Sequence, residues 1–323
     1  MSGKMCYSEF EMNNTVKKTI EYLCVITTIF FMVLASDLLG EKEIIFPEIA
    51  ALSIGCFLAP KLNWKTSYAR MIICIEICAL AGVCIVALTA FPLWIQVSLA
   101  FIIGQLVFML SHTSLAPMIS AIVLPVLLQS KSLVYPAAAL LLTAFIVAIR
   151  LVLEKASLKE KNEFTPMPSP TKADWCAFAF RTVFVAVLAC ICLKFGLKFL
   201  IAPPLLVAFT ELCRADCPAA KCKPRVILLV SLCALSGAAV RFILVMKCGL
   251  SPAVASLPIG ILIVALVKSF GLYFPPAGAM AVLALLIPDS AVLLYPVQVI
   301  LGITILAFSA DIWVKRLKQQ PAR

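Results

Sequence analysis

Apolar runs of about twenty residues recur along the whole chain, and that feature decides most of what it can fold into. As an α-helix, a run of that length covers the hydrocarbon core of a bilayer, at roughly 1.5 Å per residue. Strands of a membrane barrel would alternate apolar and polar residues, and these runs do not. Hydrophobic residues make up 63% of the chain and charged residues 13%, whereas about a quarter of a soluble domain is charged. The sequence therefore predicts an all-α, polytopic membrane protein.

Twelve apolar segments can be drawn, six in each half. The first six cover residues 19–36, 45–59, 70–89, 93–110, 114–128 and 132–152. The second six cover 173–196, 199–212, 224–246, 252–271, 276–288 and 291–313. Residues 153–172 form a charged linker containing Pro166, Pro168 and Pro170. Residues 1–18 read as a polar tail rather than a cleaved signal, and 314–323 as a basic tail. Four segments, near residues 45, 114, 199 and 276, are only about 13 to 15 residues long, short of a straight span. They fall at corresponding places in the two halves, the sequence sign of broken helices at a transporter's binding site.

The halves also match in letters. Arg70 begins a run ending Cys78-Ala79-Leu80-Ala81-Gly82, and Arg225 begins one ending Cys233-Ala234-Leu235-Ser236-Gly237. Pro47 pairs with Pro203, and Tyr135-Pro136 with Tyr295-Pro296, in the same order. These matches point to an internal duplication. Six crossings per half is an even number, so the expected arrangement is two parallel repeats, residues 19–152 and 173–313.

Charge sets the expected orientation. If every segment crosses, 20 of the 27 Lys and Arg residues fall on the side of the N-terminus. Five fall on the other side (Lys42, Lys131, Lys194, Lys198 and Lys247), with Arg181 and Arg241 inside segments. The bias predicts both termini in the cytoplasm of a multi-pass protein of the cell membrane. It also accounts for the net charge of +11 without a nucleic-acid partner.

Few side chains suggest chemistry. His112 is the only histidine, which leaves no Ser-His-Asp arrangement and no histidine metal set. Cys213, Cys217 and Cys222 lack the paired spacing and fourth ligand of a zinc site. The expectation is no enzyme activity, no metal and no cofactor. Ionisable residues inside apolar segments are costly and are functional suspects. They are Glu48, Glu76, Arg181, Glu211 and Arg241, with Glu76 and Arg241 the deepest. Glu76 and Arg241 are candidates either for a mutual pair or for a substrate contact.

The prolines at the breaks are Pro47, Pro117, Pro203, Pro204, Pro275 and Pro276. A break leaves the next half-helix with free N–H groups and a partial positive charge at its start, a natural anion site. The amides beginning near Ala277 are expected to point into such a site. Gly278 would let a ligand or a facing helix approach the backbone.

Phe274-Pro275-Pro276-Ala277-Gly278-Ala279 resembles the His-Pro-Pro motif of the HPP family of integral membrane proteins, with Phe274 in place of the histidine. The resemblance extends from about Leu200 to Leu286 and includes Ala202-Pro203-Pro204, Pro224-Arg225 and Gly237. Some members of that family are associated with nitrite transport, which implies a permease for a small anion. The spacing of Pro47, Arg70 and Gly82, repeated as Pro203, Arg225 and Gly237, is similar to the fusaric-acid-resistance (FUSC-like) membrane domain. That second resemblance implies efflux of organic or aromatic acids. A non-transport membrane protein is the third class. The expected partners are the bilayer, a small-molecule or ion substrate, and further copies of the chain in a homo-oligomer.

Overall fold

In the computed structural model the apolar runs are helices, and no strand occurs among the described residues. The structure describes the backbone of residues 2–214 and 216–319 and the side chains of residues 15–214 and 216–316. The first half holds α1 (Ser2–Leu39), α2 (Glu48–Ser53, carried on by a wider π turn to Leu58), α3 (Tyr68–Leu88), α4 (Leu93–Leu110), α5 (Pro117–Leu128) and α6 (Val134–Lys155). The second half holds α7 (Lys172–Lys194), α8 (Pro203–Leu212), α9 (Lys223–Val240, carried on by π turns to Lys247), α10 (Pro252–Phe270), α11 (Pro275–Leu283) and α12 (Tyr295–Gln319).

Eight of these, α1, α3, α4, α6, α7, α9, α10 and α12, carry apolar stretches of 18 to 25 residues, long enough to cross a membrane. The other four, α2, α5, α8 and α11, are the short segments. Among their helical residues only Leu128, the last of α5, is not buried. The long helices are therefore the wall and the short ones the centre.

Two expected boundaries move. No Gly or Pro stands between Lys4 and Leu39, so nothing breaks the helix at residue 18, and α1 runs unbroken from Ser2. The expected tail at 314–323 is likewise helical as far as Gln319, and its last residues lie outside the described ones.

Hydrogen bonds sort the loops onto two ends of the bundle. At one end the 153–172 linker lies across the other loops. Lys159 Nζ donates to Ala59 O (2.9 Å) and pairs with Glu21 (2.8 Å), Asn162 donates to Thr66 O, and Met167 N–H donates to His112 O. Arg70 reaches Ser111 O at the same end. At the far end Ala253 N–H donates to Asp37 (2.8 Å) and Ser130 to Glu43 (2.7 Å). Successive helices therefore alternate in direction, and α7 starts at the same end as α1. The first end is the basic one, and the far end holds Lys42, Lys131, Lys194, Lys198 and Lys247.

Packing follows one scheme in both halves. α3 packs on α5 and α6, and α9 on α11 and α12. Across the halves α1 packs on α10, α4 on α7, α2 on α11 and α5 on α8. The letters shared by the halves sit at matching contacts. A Cβ on Gly82 would lie 2.4 Å from Ile122 O, and one on Gly237 2.2 Å from Ala281 O, so each glycine lets two helix backbones touch. The Tyr135 hydroxyl donates to Ala121 O at 3.0 Å and the Tyr295 hydroxyl to Met280 O at 2.7 Å.

The non-helical backbone before the short helices needs partners, because a bilayer offers none. Phe46 N–H donates to Met32 Sδ, and Phe199 N–H to Gln298 Oε1 (2.9 Å). These two N–H groups are thus met inside the protein.

Candidate functional site

The starts of the four short helices meet at one buried point. Glu48 and Ala51 of α2, Pro117 and Ser120 of α5, Pro204 and Val207 of α8, and Pro276 and Ala279 of α11 line a space of about 10 Å³. Each helix contributes its first or second residue and the one three positions on, which share a helix face. The space is on the scale of a single water molecule, so the four helices are closed against one another.

Only Glu48 and Ser120 bring polar side chains to this lining, and each is 1% exposed. The Ser120 hydroxyl donates to Glu48 Oε1, while Glu48 Oε2 is buried without a hydrogen-bond partner. Ion pairs among the described residues do not include Glu48. At the matching positions of the second half stand Pro204 and Ala279, so the polar pair belongs to the first half alone.

The amides expected to face this space are used inside their own turns. Leu205 and Leu206 N–H donate to Ala202 O at 2.8 and 3.3 Å, and Ala277 N–H donates to Phe274 O at 3.1 Å. Prolines at the first two positions of α8 and α11 remove the other early donors. What these helices present is the partial positive charge of their ends rather than free N–H groups.

The remaining sequence candidates fall elsewhere. Pro47 precedes Glu48, and Pro203 and Pro275 precede Pro204 and Pro276, one residue outside the lining. Gly278 faces α2: a Cβ there would lie 2.4 Å from Ile54 Cδ1 and 3.5 Å from Ala50 O. It serves helix packing. Arg241 is at the far end, where it donates to Ala284 O and Ile287 O and pairs with Asp289 at 2.6 Å. It caps the C-terminal end of α11, away from the break. Glu76, on α3, does not pair with Arg241, and its Oε2 has no hydrogen-bond partner. Arg181 is buried and donates to Gln105 (2.9 Å), which bonds Thr210 (2.6 Å).

A wider cavity of about 360 Å³ opens at the basic end, with Trp64, Lys65, Ser114, Glu211, Arg214 and Phe274 in its wall. Ser114, Phe274 and Glu211 are within about one turn in sequence of Pro117, Pro276 and Val207, so this vestibule stands next to the central space. Glu211 is 5% exposed and accepts from Trp64 Nε1. Cys217 is also in the wall; burial first, and then the nearby Glu211 carboxyl, push its thiol up to about 11. Another cleft, about 290 Å³ between α9 and α12, opens outward and its Lys223 is held by Asp311 at 2.6 Å.

His112 has a left-handed backbone (φ 53°), and its Nδ1 lies 2.9 Å from Met167 O, which ties the linker to the loop before α5. No group of three or more metal-ligating side chains occurs among the described residues. Sequence reading found the breaks but missed Ser120, Ala279 and Trp64. The first two stand three residues after a named proline, a spacing that could have marked them. No family model, curated protein or solved structure matches the chain, so its site is read from its own chemistry.

Proposed function

We propose that this chain is a multi-pass permease for a small, nitrite-like anion, which crosses where the four short helices meet. The observation that carries the reading is the convergence of four helix starts on one buried space, with a vestibule one turn away. Broken helices meeting at the centre of a membrane bundle are the usual substrate site of secondary transporters. The starts of α5, α8 and α11 are partial positive charges aimed at one point, which favours an anion. Lys65 at the vestibule adds attraction, while Arg214 there is paired with Asp216 at 2.7 Å.

In this reading the halves are parallel repeats related by an axis along the membrane normal, and both termini are cytoplasmic. The matched packing pairs, the Gly82 and Gly237 contacts and the Tyr135 and Tyr295 bonds support the repeat. The excess of Lys and Arg at the basic end supports the orientation. The HPP resemblance of Phe274-Pro275-Pro276 fits the same reading.

The test is uptake by proteoliposomes holding the purified chain, measured above protein-free vesicles. Nitrite and formate should enter and a bulky aromatic acid should not, because four helices closed on a water-sized space have to part least for the smallest ions. Movement of the aromatic acid alone would favour the efflux reading. No uptake of any of the three would contradict a permease.

A further inference from the structure

We infer that the central site carries a second cargo, a proton on Glu48, and that each anion crosses together with it. The inference rests on the permease reading. Glu48 holds the place a substrate anion would take: it is at the first turn of α2, 1% exposed, and in the lining shared with the starts of α5, α8 and α11. Ionised, its carboxylate is the negative charge that faces those three positive ends. A substrate anion arriving beside it would put two like charges next to each other in a medium of low dielectric, which is unfavourable.

Protonation removes that conflict. A proton from the solution bonds to the unpartnered Oε2, and the carboxylate becomes a neutral acid. The anion then takes over the interaction with the helix ends. When the anion leaves, the proton leaves too, and the carboxylate returns to its resting place. One proton and one monovalent anion move per cycle, so no net charge crosses.

The surroundings leave this role to Glu48. Among the other elements packed on α2, α5 presents Ser120, which donates to Oε1, and α8 and α11 present Pro204, Val207, Pro276 and Ala279. On α6 the titratable neighbours are Tyr135, whose hydroxyl is spent on Ala121 O, and the buried Arg150, which donates to Cys56 O in the π turn after α2 and pairs with Glu154 at 3.0 Å. Glu43 stands before α2 at the far end; Ser130 donates to its Oε1, and although its Oε2 is also buried without a hydrogen-bond partner, it lies outside the central lining. On α1, which packs along α2, Met32 Sδ accepts from Phe46 N–H just before α2, and the carboxyl Glu21 is held by Lys159 at the basic end.

The experiment pairs transport with spectroscopy on the reconstituted full chain. An inward proton gradient should accelerate nitrite or formate uptake, and uptake should carry protons inward at a ratio of one to one. Glu48→Gln should lose the response to the gradient. Infrared difference spectra should show a protonated-carboxyl band that grows when nitrite is added and is missing in Glu48→Gln. If Glu48→Gln does not fold, Ser120→Ala takes its place and should move that band by removing the hydroxyl donor. Uptake that ignores the gradient, or nitrite binding without a change in the carboxyl band, would overturn the proton role while leaving the permease reading intact. No uptake of any anion would overturn both.

Discussion

The Trp64 indole Nε1 donates to Glu211 Oε1 at 3.2 Å, joining the loop after α2 to the last turn of α8. This bond crosses from one half of the chain to the other within the wall of the vestibule. The Trp64 ring also fills the room beside Gly55, where an added Cβ would lie 2.4 Å from the ring.

Trp64→Phe keeps a ring in that room but removes the donor, leaving Glu211 buried with one fewer partner. The expected loss of stability is about 1–3 kcal/mol, the cost of an unmet buried acceptor. Thermal unfolding of the purified protein in detergent would show it. An unchanged unfolding temperature would mean that Glu211 is solvated through the vestibule.

Cys217 is a chemical probe of the same cavity. Its folded thiol titrates near 11 against an ordinary value of 9.0, so it is neutral and slow to react at neutral pH. Alkylation of Cys217, followed by mass spectrometry, should rise steadily as pH increases toward 11. The sign for stability follows. The unfolded thiol ionises first, so the contribution of this group is full below pH 9 and is lost as pH rises through 11.

Two buried glycines of the second half, Gly237 on α9 and Gly278 on α11, should respond differently to alanine. At Gly237 the new methyl meets backbone, Ala281 O at 2.2 Å, so α9 and α11 must separate. Gly237→Ala should cost about 1–3 kcal/mol or more. At Gly278 the nearest atom is the tip of the Ile54 side chain, which can rotate away. Gly278→Ala should be close to neutral, since alanine also favours the helix by roughly 0.5–1 kcal/mol. Equilibrium unfolding of the two variants side by side checks the contrast.

The segments were legible because a bilayer permits so few structures and because prolines mark where helices start. The repeated letters were legible as letters. Their cause is steric: Gly82 and Gly237 stand where helix backbones touch, and Tyr135 and Tyr295 bond carbonyls of the neighbouring short helices. The place of Arg241 was not legible because its partners, Ala284 O and Ile287 O, are backbone atoms more than forty residues away, which carry no mark in the sequence. Glu48 and Ser120 are 72 residues apart and belong to different helices, so no local spacing joins them. The amides near Ala277 failed as donors for a reason that was readable: paired prolines delete N–H groups as well as break helices.

The most direct measurement is nitrite uptake by proteoliposomes containing Ala279→Leu, beside the unaltered chain at equal incorporation. Ala279 is 1% exposed and lines the space where the four helix starts meet, so a leucine side chain would occupy the room a substrate needs. The expected result is a folded, membrane-inserted protein whose uptake falls by about 5- to 150-fold, the rate equivalent of roughly 1–3 kcal/mol. Uptake by Ala279→Leu at the rate of the unaltered chain would contradict a substrate site at the meeting of α2, α5, α8 and α11.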